Sequence, residues 1–279
     1  MPRTLSAVLT SVDDLFATMN DRGFVVFEAA SVAASIGHPV TALQTLTPSW
    51  NELPVDAWLK DGGRYRSRRH ACFVVDDMDM TRVPHRAHWQ PIAYNALHGG
   101  LERWFDPIVD DVANAAVWRA LIVTLAQWCS TLKGAQPWYV EAHQFRIDTA
   151  DGIGRPTPEG AHRDGVDFVA VLLVDRQHIK GGETRVFEAD GPRGVRFTLH
   201  EPWSLLFLDD ERVIHESTPI QPDLHDEAGN DGNRPSASTS EHLGARAGTP
   251  PRPQVVHGGN DGHRDTLVLT FRRGAFQGP

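Results

Sequence analysis

The chain has 279 residues and carries 27 Lys and Arg against 36 Asp and Glu, a formal net charge of −9. That balance excludes a general binder of nucleic acid or anionic membrane, because phosphate binding needs a surplus of positive charge on one face. Hydrophobic residues make up 41% of the chain, enough to build a core, and no apolar run reaches the ~18 residues of a bilayer span.

Leu5, Val8, Leu9, Val12, Leu15, Phe16 and Met19 recur at helical spacing, and Gly23 follows as a stop. Asp13 and Asp14 interrupt this segment before a signal-peptide core could form. Residues 24–27 (FVVF) read as a buried strand. The stretch 39–98, rich in Trp, Pro and Arg, follows no single period and receives no assignment. From 107 to 132, Ile108, Val112, Ala115, Leu121, Ile122, Leu125 and Trp128 predict one long buried helix, with Gly134 ending it.

After that helix the texture changes to short strands: 138–147, 167–174, 184–187 behind the Gly181-Gly182 turn, 203–208 and 266–271. Short strands with Gly-rich turns predict a barrel or sandwich, and the helical segment would cover one outer face of its sheet. From 221 to 263 there is no aromatic residue, and five prolines stand among Gly, Ser, Asn and Asp. That composition cannot offset its own ordering entropy, so it reads as a long surface insertion, either disordered or a lid. The expected organisation is one domain, with 1–135 as a helical and mixed support and 136–279 as the β core. Cys72 and Cys129 cannot form a disulfide framework and fit a reducing, cytoplasmic setting.

Fourteen histidines raise the question of which do chemistry. In the segment GAHRDGVD, His162 and Asp164 stand two apart, so on an extended strand both face the same side. His215, in LDDERVIHESTP, is a third candidate. Two imidazoles and one carboxylate on one side of a metal leave the opposite positions open, the arrangement of non-haem Fe(II) oxygenases. Arg264 and Thr266 share a face of the last strand and could hold a distal carboxylate with a guanidinium fork and a hydroxyl. A zinc hydrolase would need a nearby Glu base, and no His-Glu-x-x-His helix is present. A closed structural metal site in a binding module would need four protein ligands.

Other residues have two readings each. His143 is a core or pocket residue, with Gln144 and Arg146 on the opposite face of its strand. Arg146 either clamps a substrate carboxylate or pairs with an acid on the barrel. Asp167 either meets a substrate ammonium or is an ordinary edge charge. Arg64, Arg66, Arg68 and Arg69 form a solvated strand face or the rim of an anion-binding site, in preference to a nucleic-acid patch. His225, His242, His257 and His263 lack ligand spacing and read as solvated, while Trp50, Trp58, Trp89 and Trp104 read as core.

The ordered blocks HQFRI from His143, PEGAHRDGVDF from Pro158, GGET from Gly181, LDD from Leu208 through HESTPI from His215, and RDTL from Arg264 carry a resemblance. Together they resemble the bacterial 2-oxoglutarate/Fe(II) dioxygenases that hydroxylate free L-amino acids, the L-isoleucine hydroxylase group in particular. The match runs over 138–271, with weaker echoes at 56–59 and 64–69, and the insertion at 221–263 is longer than the pattern. The resemblance implies a mainly β fold with flanking helices around a double-stranded β-helix, the jelly-roll or cupin-like core. It implies Fe(II) on His162, Asp164 and His215, with Arg264 and Thr266 holding 2-oxoglutarate. It also implies O2 as co-substrate and hydroxylation coupled to release of succinate and CO2. The implied partner is a small molecule, with no nucleic acid or membrane, and a homo-oligomer stays open. The same chemistry on a carrier-tethered or peptide substrate, or desaturation in place of hydroxylation, is the alternative.

Overall fold

The computed structural model describes residues 8–94, 97, 99–223 and 262–278. Its backbone is a seven-stranded antiparallel sheet in the order β1-β9-β5-β12-β4-β2-β3. These strands are β1 (Phe24–Phe27), β2 (Arg66–Asp76), β3 (Asp79–Arg82), β4 (Trp138–Asp148), β5 (Phe168–Gln177), β9 (Leu205–Asp209) and β12 (His263–Arg273). A three-stranded sheet pairs β10 (Val213–Ser217) with β7 (Thr184–Glu188) and β7 with β8 (Gly194–Phe197). A further pair joins β6 (Ile179–Gly181) to β11 (Ile220–Pro222).

Strand alternation divides the large sheet into two faces. Val140 and Ala142 of β4, Ala170 and Leu172 of β5 and Leu267, Leu269 and Phe271 of β12 belong to one hydrophobic cluster. The cluster also holds residues of α1 (Leu15–Arg22), α2 (Ala29–Ile36) and α5 (Ala116–Lys133). The opposite face contributes Val169, Leu173, Leu206 and Leu208 to a second cluster with Val186, Phe197 and Val213 of the small sheet. Helices thus cover one side, and the small sheet closes over the other. That is the jelly-roll arrangement with a helical layer expected from the sequence. Among the described residues no helix is long and apolar enough to cross a membrane.

Several expectations need correction. The first helix begins only at Leu15. Val8 to Thr10 run instead beside β1, where the Thr10 amide donates to the Val26 carbonyl at 2.8 Å; Leu5 lies outside the described residues. The long helix is broken into α4 (Asp110–Ala113) and α5, because Ala115 takes an extended conformation (φ −63°, ψ 136°) between them. The unassigned stretch holds β2 and β3, a short α3 (Val40–Gln44) and a 3₁₀ turn at Thr47–Glu52. That turn seats Trp50, whose indole N–H donates to the Thr266 carbonyl at 3.2 Å. The insertion lies outside the described residues between 224 and 261, with His225, His242 and His257 in it. His263 is not solvated: it opens β12 and pairs with Asp175 at 3.3 Å. Of the four tryptophans, Trp50 is fully buried whereas Trp104 is 52% exposed.

Candidate metal centre and its cavity

The segment between β4 and β5 carries His162 and Asp164, and main-chain bonds fix it. The His162 amide donates to the His215 carbonyl at 3.1 Å, and the His215 amide returns the bond at 3.0 Å. This antiparallel bridge sets the two imidazoles beside each other, ring centroids 4.7 Å apart. The turn that follows is held by one buried carboxylate. Asp210 accepts from the amides of Asp164 at 3.0 Å, Gly165 at 2.8 Å and Val166 at 3.1 Å. Gly165 supplies the left-handed conformation needed there (φ 74°).

The side chains converge without bonding to one another. His162 Nε2 lies 3.8 Å from Asp164 Oδ1 and 3.6 Å from Glu159 Oε1, and His215 Nε2 lies 3.8 Å from Asp164 Oδ2. Those separations are too long for hydrogen bonds. They suit donors that share a cation at bond lengths of about 2.0–2.2 Å. His162 Nδ1 donates to the Gly160 carbonyl at 2.9 Å, which leaves the Nε2 lone pair on the convergent side. Burial, then the adjacent His162, pushes His215 down to about 3, so it is neutral as a ligand must be. For His162 burial opposes the charge, but the Asp164 and Glu159 carboxylates outweigh it and raise its basicity. The donor set therefore fits a divalent transition metal bound from one side.

The three donors open onto a cavity of about 130 Å³ walled by β4, β12 and β10. Arg264 and Thr266 both line it, as their shared strand face requires. Arg264 is 4% exposed, and its Nη2 is buried without a partner. Burial, followed by repulsion from Arg176, pushes its guanidinium down to about 10. A buried cation with an idle donor is a prepared anion site.

Two sequence-predicted residues are not brought to this cavity. Arg146 shares its β4 face with Ala142 and Gln144, the helix-covered side, whereas His143, Phe145 and Ile147 line the cavity. Its guanidinium grips Asp265 through two bonds of 2.8 and 2.6 Å and reaches Asn51 at 3.0 Å. Asp167 is likewise taken up structurally. Its carboxylate faces Arg273 Nε at 2.7 Å and Lys133 Nζ at 3.5 Å, and it accepts from the Arg273 amide at 2.8 Å. Arg146 thus pairs with an acid on the barrel, Asp167 is a buried carboxylate between two cations, and neither is among the residues that line the cavity.

Sequence reasoning passed over Asp210, Glu159, His88 and Arg103, and left Arg66 and Arg68 as a solvated strand face or a rim. All except Asp210 line the cavity, with Arg66, Arg68 and Arg103 buried there and Arg66 level with Arg264 across β4. Their signal was present as the alternation Arg66, Arg68, His70 along β2, where each inward position is polar. The β2–β4 register sets Arg68 opposite Phe145, His70 opposite His143 and Cys72 opposite Glu141.

His70, His88 and His143 are fully buried, and burial is the largest influence lowering the basicity of each, His88 to about 4. The unfolded chain would take up protons at these sites near pH 6.5, whereas the folded chain resists. Stability should therefore be full above about pH 6.5 and fall with acidification, at up to about 1.4 kcal/mol per pH unit for each histidine. Urea midpoints taken between about pH 7 and pH 5 measure this, and a flat profile contradicts it.

Comparison with known proteins agrees with this geometry. The fold and site define a 2-oxoglutarate-dependent oxygenase, and the chain belongs to the 2OG-Fe dioxygenase family, whose model matches residues 47–232. It is thus a dioxygenase that uses Fe(II), 2-oxoglutarate and O2. A solved bsmA homolog from Methylobium petroleophilum PM1 is 45% identical, with 97% of this chain and 96% of that chain covered and a TM-score of 0.81. IDO from Bacillus thuringiensis shares the fold at 15% identity, with 96% and 97% coverage and a TM-score of 0.66. The Fe(II)/(alpha)ketoglutarate-dependent dioxygenase TqaL does so at 16% identity, with 95% and 90% coverage and a TM-score of 0.64. No curated protein matches the chain.

Proposed function

We propose that this dioxygenase hydroxylates a free L-amino acid, with His162, Asp164 and His215 as the residues that would hold Fe(II). The observation that carries the reading is one small cavity with the three donors on its wall and two sets of buried arginines, Arg264 on β12 and Arg66, Arg68 and Arg103 beyond β4, lining it. Arg264, assisted by Thr266, would take the distal carboxylate of 2-oxoglutarate. Bound iron supplies the activation of O2, driven by conversion of 2-oxoglutarate to succinate and CO2. The chain's own contribution is placement. Arg66, Arg68 and Arg103 form a second cationic group on the wall, opposite in charge to an α-carboxylate, and Glu159 offers an acceptor for an ammonium group. The apolar walls, Phe145, Ile147, Val171 and Val268, exclude water and present a C–H-bearing side chain to the metal side. A cavity of about 130 Å³ favours a free small molecule over a tethered or peptide substrate.

The test is mass spectrometry of products formed from a mixed pool of free amino acids with Fe(II), 2-oxoglutarate and O2. The expected result is one amino acid gaining a single oxygen in step with succinate. Succinate without any oxidised free amino acid would favour the tethered substrate.

A further inference from the structure

The part of the cavity lined by Arg66, Arg68 and Arg103 is built as an anion site. We propose that it binds the carboxylate of the amino-acid substrate, with Arg68 and Arg103 as contact residues and His143 and Glu141 as positioning residues. The proposal rests on the substrate class given above.

Arg68 is 4% exposed and lies between two rings, its guanidinium carbon 3.6 Å from the Phe105 centroid and 4.5 Å from that of Phe145. Its nearest carboxylate, Asp56, is 3.8 Å away and is already engaged by Arg66 Nε at 2.8 Å. Arg103 spends one nitrogen on Gln90 Oε1 at 2.9 Å. Arg68 Nε, Arg103 Nε and Arg66 Nη2 are buried with no partner at all. Three buried guanidinium groups thus share one close carboxylate and keep idle donors. Such a surplus is costly unless an anion completes it, and a planar carboxylate matches the fork geometry.

What holds Arg68 in place is a chain of assigned protons. A guanidinium only donates, so the 2.7 Å contact between Arg68 Nη2 and His143 Nδ1 makes Nδ1 the lone-pair nitrogen. Neutral His143 then carries its proton on Nε2, which faces Glu141 Oε2 at 3.9 Å. The same oxygen accepts from His88 Nδ1 at 2.6 Å and from His70 Nε2 at 3.1 Å. His70 stacks on His143 with centroids 4.6 Å apart and a plane angle of 18°. One buried carboxylate therefore orients three imidazoles, and one of them presents its acceptor to Arg68. The lengths 2.6 and 3.1 Å are those of hydrogen bonds, unlike the 3.6–3.8 Å separations around His162. The group is a positioning hub and not a second metal centre.

The experiment measures succinate release by the iron-loaded enzyme while an equimolar mixture of free L-amino acids, or of their carboxamides, is varied. Wild type is compared with His143→Leu, which removes the acceptor, and His143→Asn, whose Oδ1 restores one. Free acids should stimulate and carboxamides should not. In H143L the half-saturating amino-acid concentration should rise by at least about tenfold, the worth of a charged hydrogen bond. The 2-oxoglutarate half-saturation should stay within about twofold, and H143N should recover most of the loss. Stimulation by carboxamides, a parallel rise for 2-oxoglutarate, or equal damage in both variants would overturn the proposal. If no amino acid stimulates the wild type, the substrate class fails on its own. The site is then read by the melting temperature in acetate, with 2-oxoglutarate saturating so that Arg264 is occupied. An acetate-dependent rise lost in H143L upholds the anion site, and no rise overturns it.

Discussion

In the H162A enzyme, succinate production coupled to substrate is expected to fall to background while the fold persists. Removing one imidazole leaves two protein donors, Asp164 and His215, and a cation held by two donors from one side is weakly bound and poorly oriented. Loss of an outer partner already costs roughly 10–100-fold in affinity or activity, so loss of a ligand should exceed that range. The fold should survive because the structural work of this residue is done by its backbone, through the paired bonds with His215 that alanine also makes. The measurements are succinate release, bound iron per chain and the thermal transition. Wild-type turnover in H162A would sink the metal assignment. Loss of turnover together with unfolding would be resolved by bound iron in the still-folded fraction at lower temperature.

Arg264→Leu should separate binding from stability in opposite directions. Truncating one partner of a buried, hydrogen-bonded charge pair costs about 2–5 kcal/mol, which corresponds to a rise of roughly thirtyfold or more in KM for 2-oxoglutarate. Without the ligand, however, Arg264 is a buried cation with an idle Nη2 and with Arg176 as a repelling neighbour. Replacing it by an apolar side chain of comparable volume removes that burden, so the ligand-free variant should melt at or above wild type. Added 2-oxoglutarate should raise the melting temperature of wild type and leave that of the variant unchanged. A KM equal to wild type would show that the distal carboxylate is held elsewhere.

The legible parts of the site were those whose geometry is local. His162 and Asp164 are two residues apart, and Arg264 and Thr266 are two apart, so extended backbone alone puts each pair on one side. The core strands β4, β5 and β12 were legible for a related reason: each holds a short run rich in aromatic and branched apolar residues. Strand β2 escaped because one of its buried faces carries Arg66, Arg68 and His70, which hide the usual contrast between an apolar and a polar face.

Local periodicity also divides a strand into two faces without saying which one a helix will cover. On β4 that left open whether the face of His143 or that of Arg146 meets the cavity, and the packing of α5 and the 3₁₀ turn beneath the sheet decided it. Asp167 found Lys133 and Arg273 only once distant segments met. The sequence by itself determined a β core with a helical cover, and it already carried the residues proposed here as donors, His162, Asp164 and His215, and as anchor, Arg264. Each follows from residue type and short spacing along one chain. The tertiary structure alone decided which face of each strand meets the cavity. It also joined Arg68, Arg103, His88, Glu141 and His143 into one anion pole, because those contacts depend on strand pairing and layer packing between residues far apart in sequence.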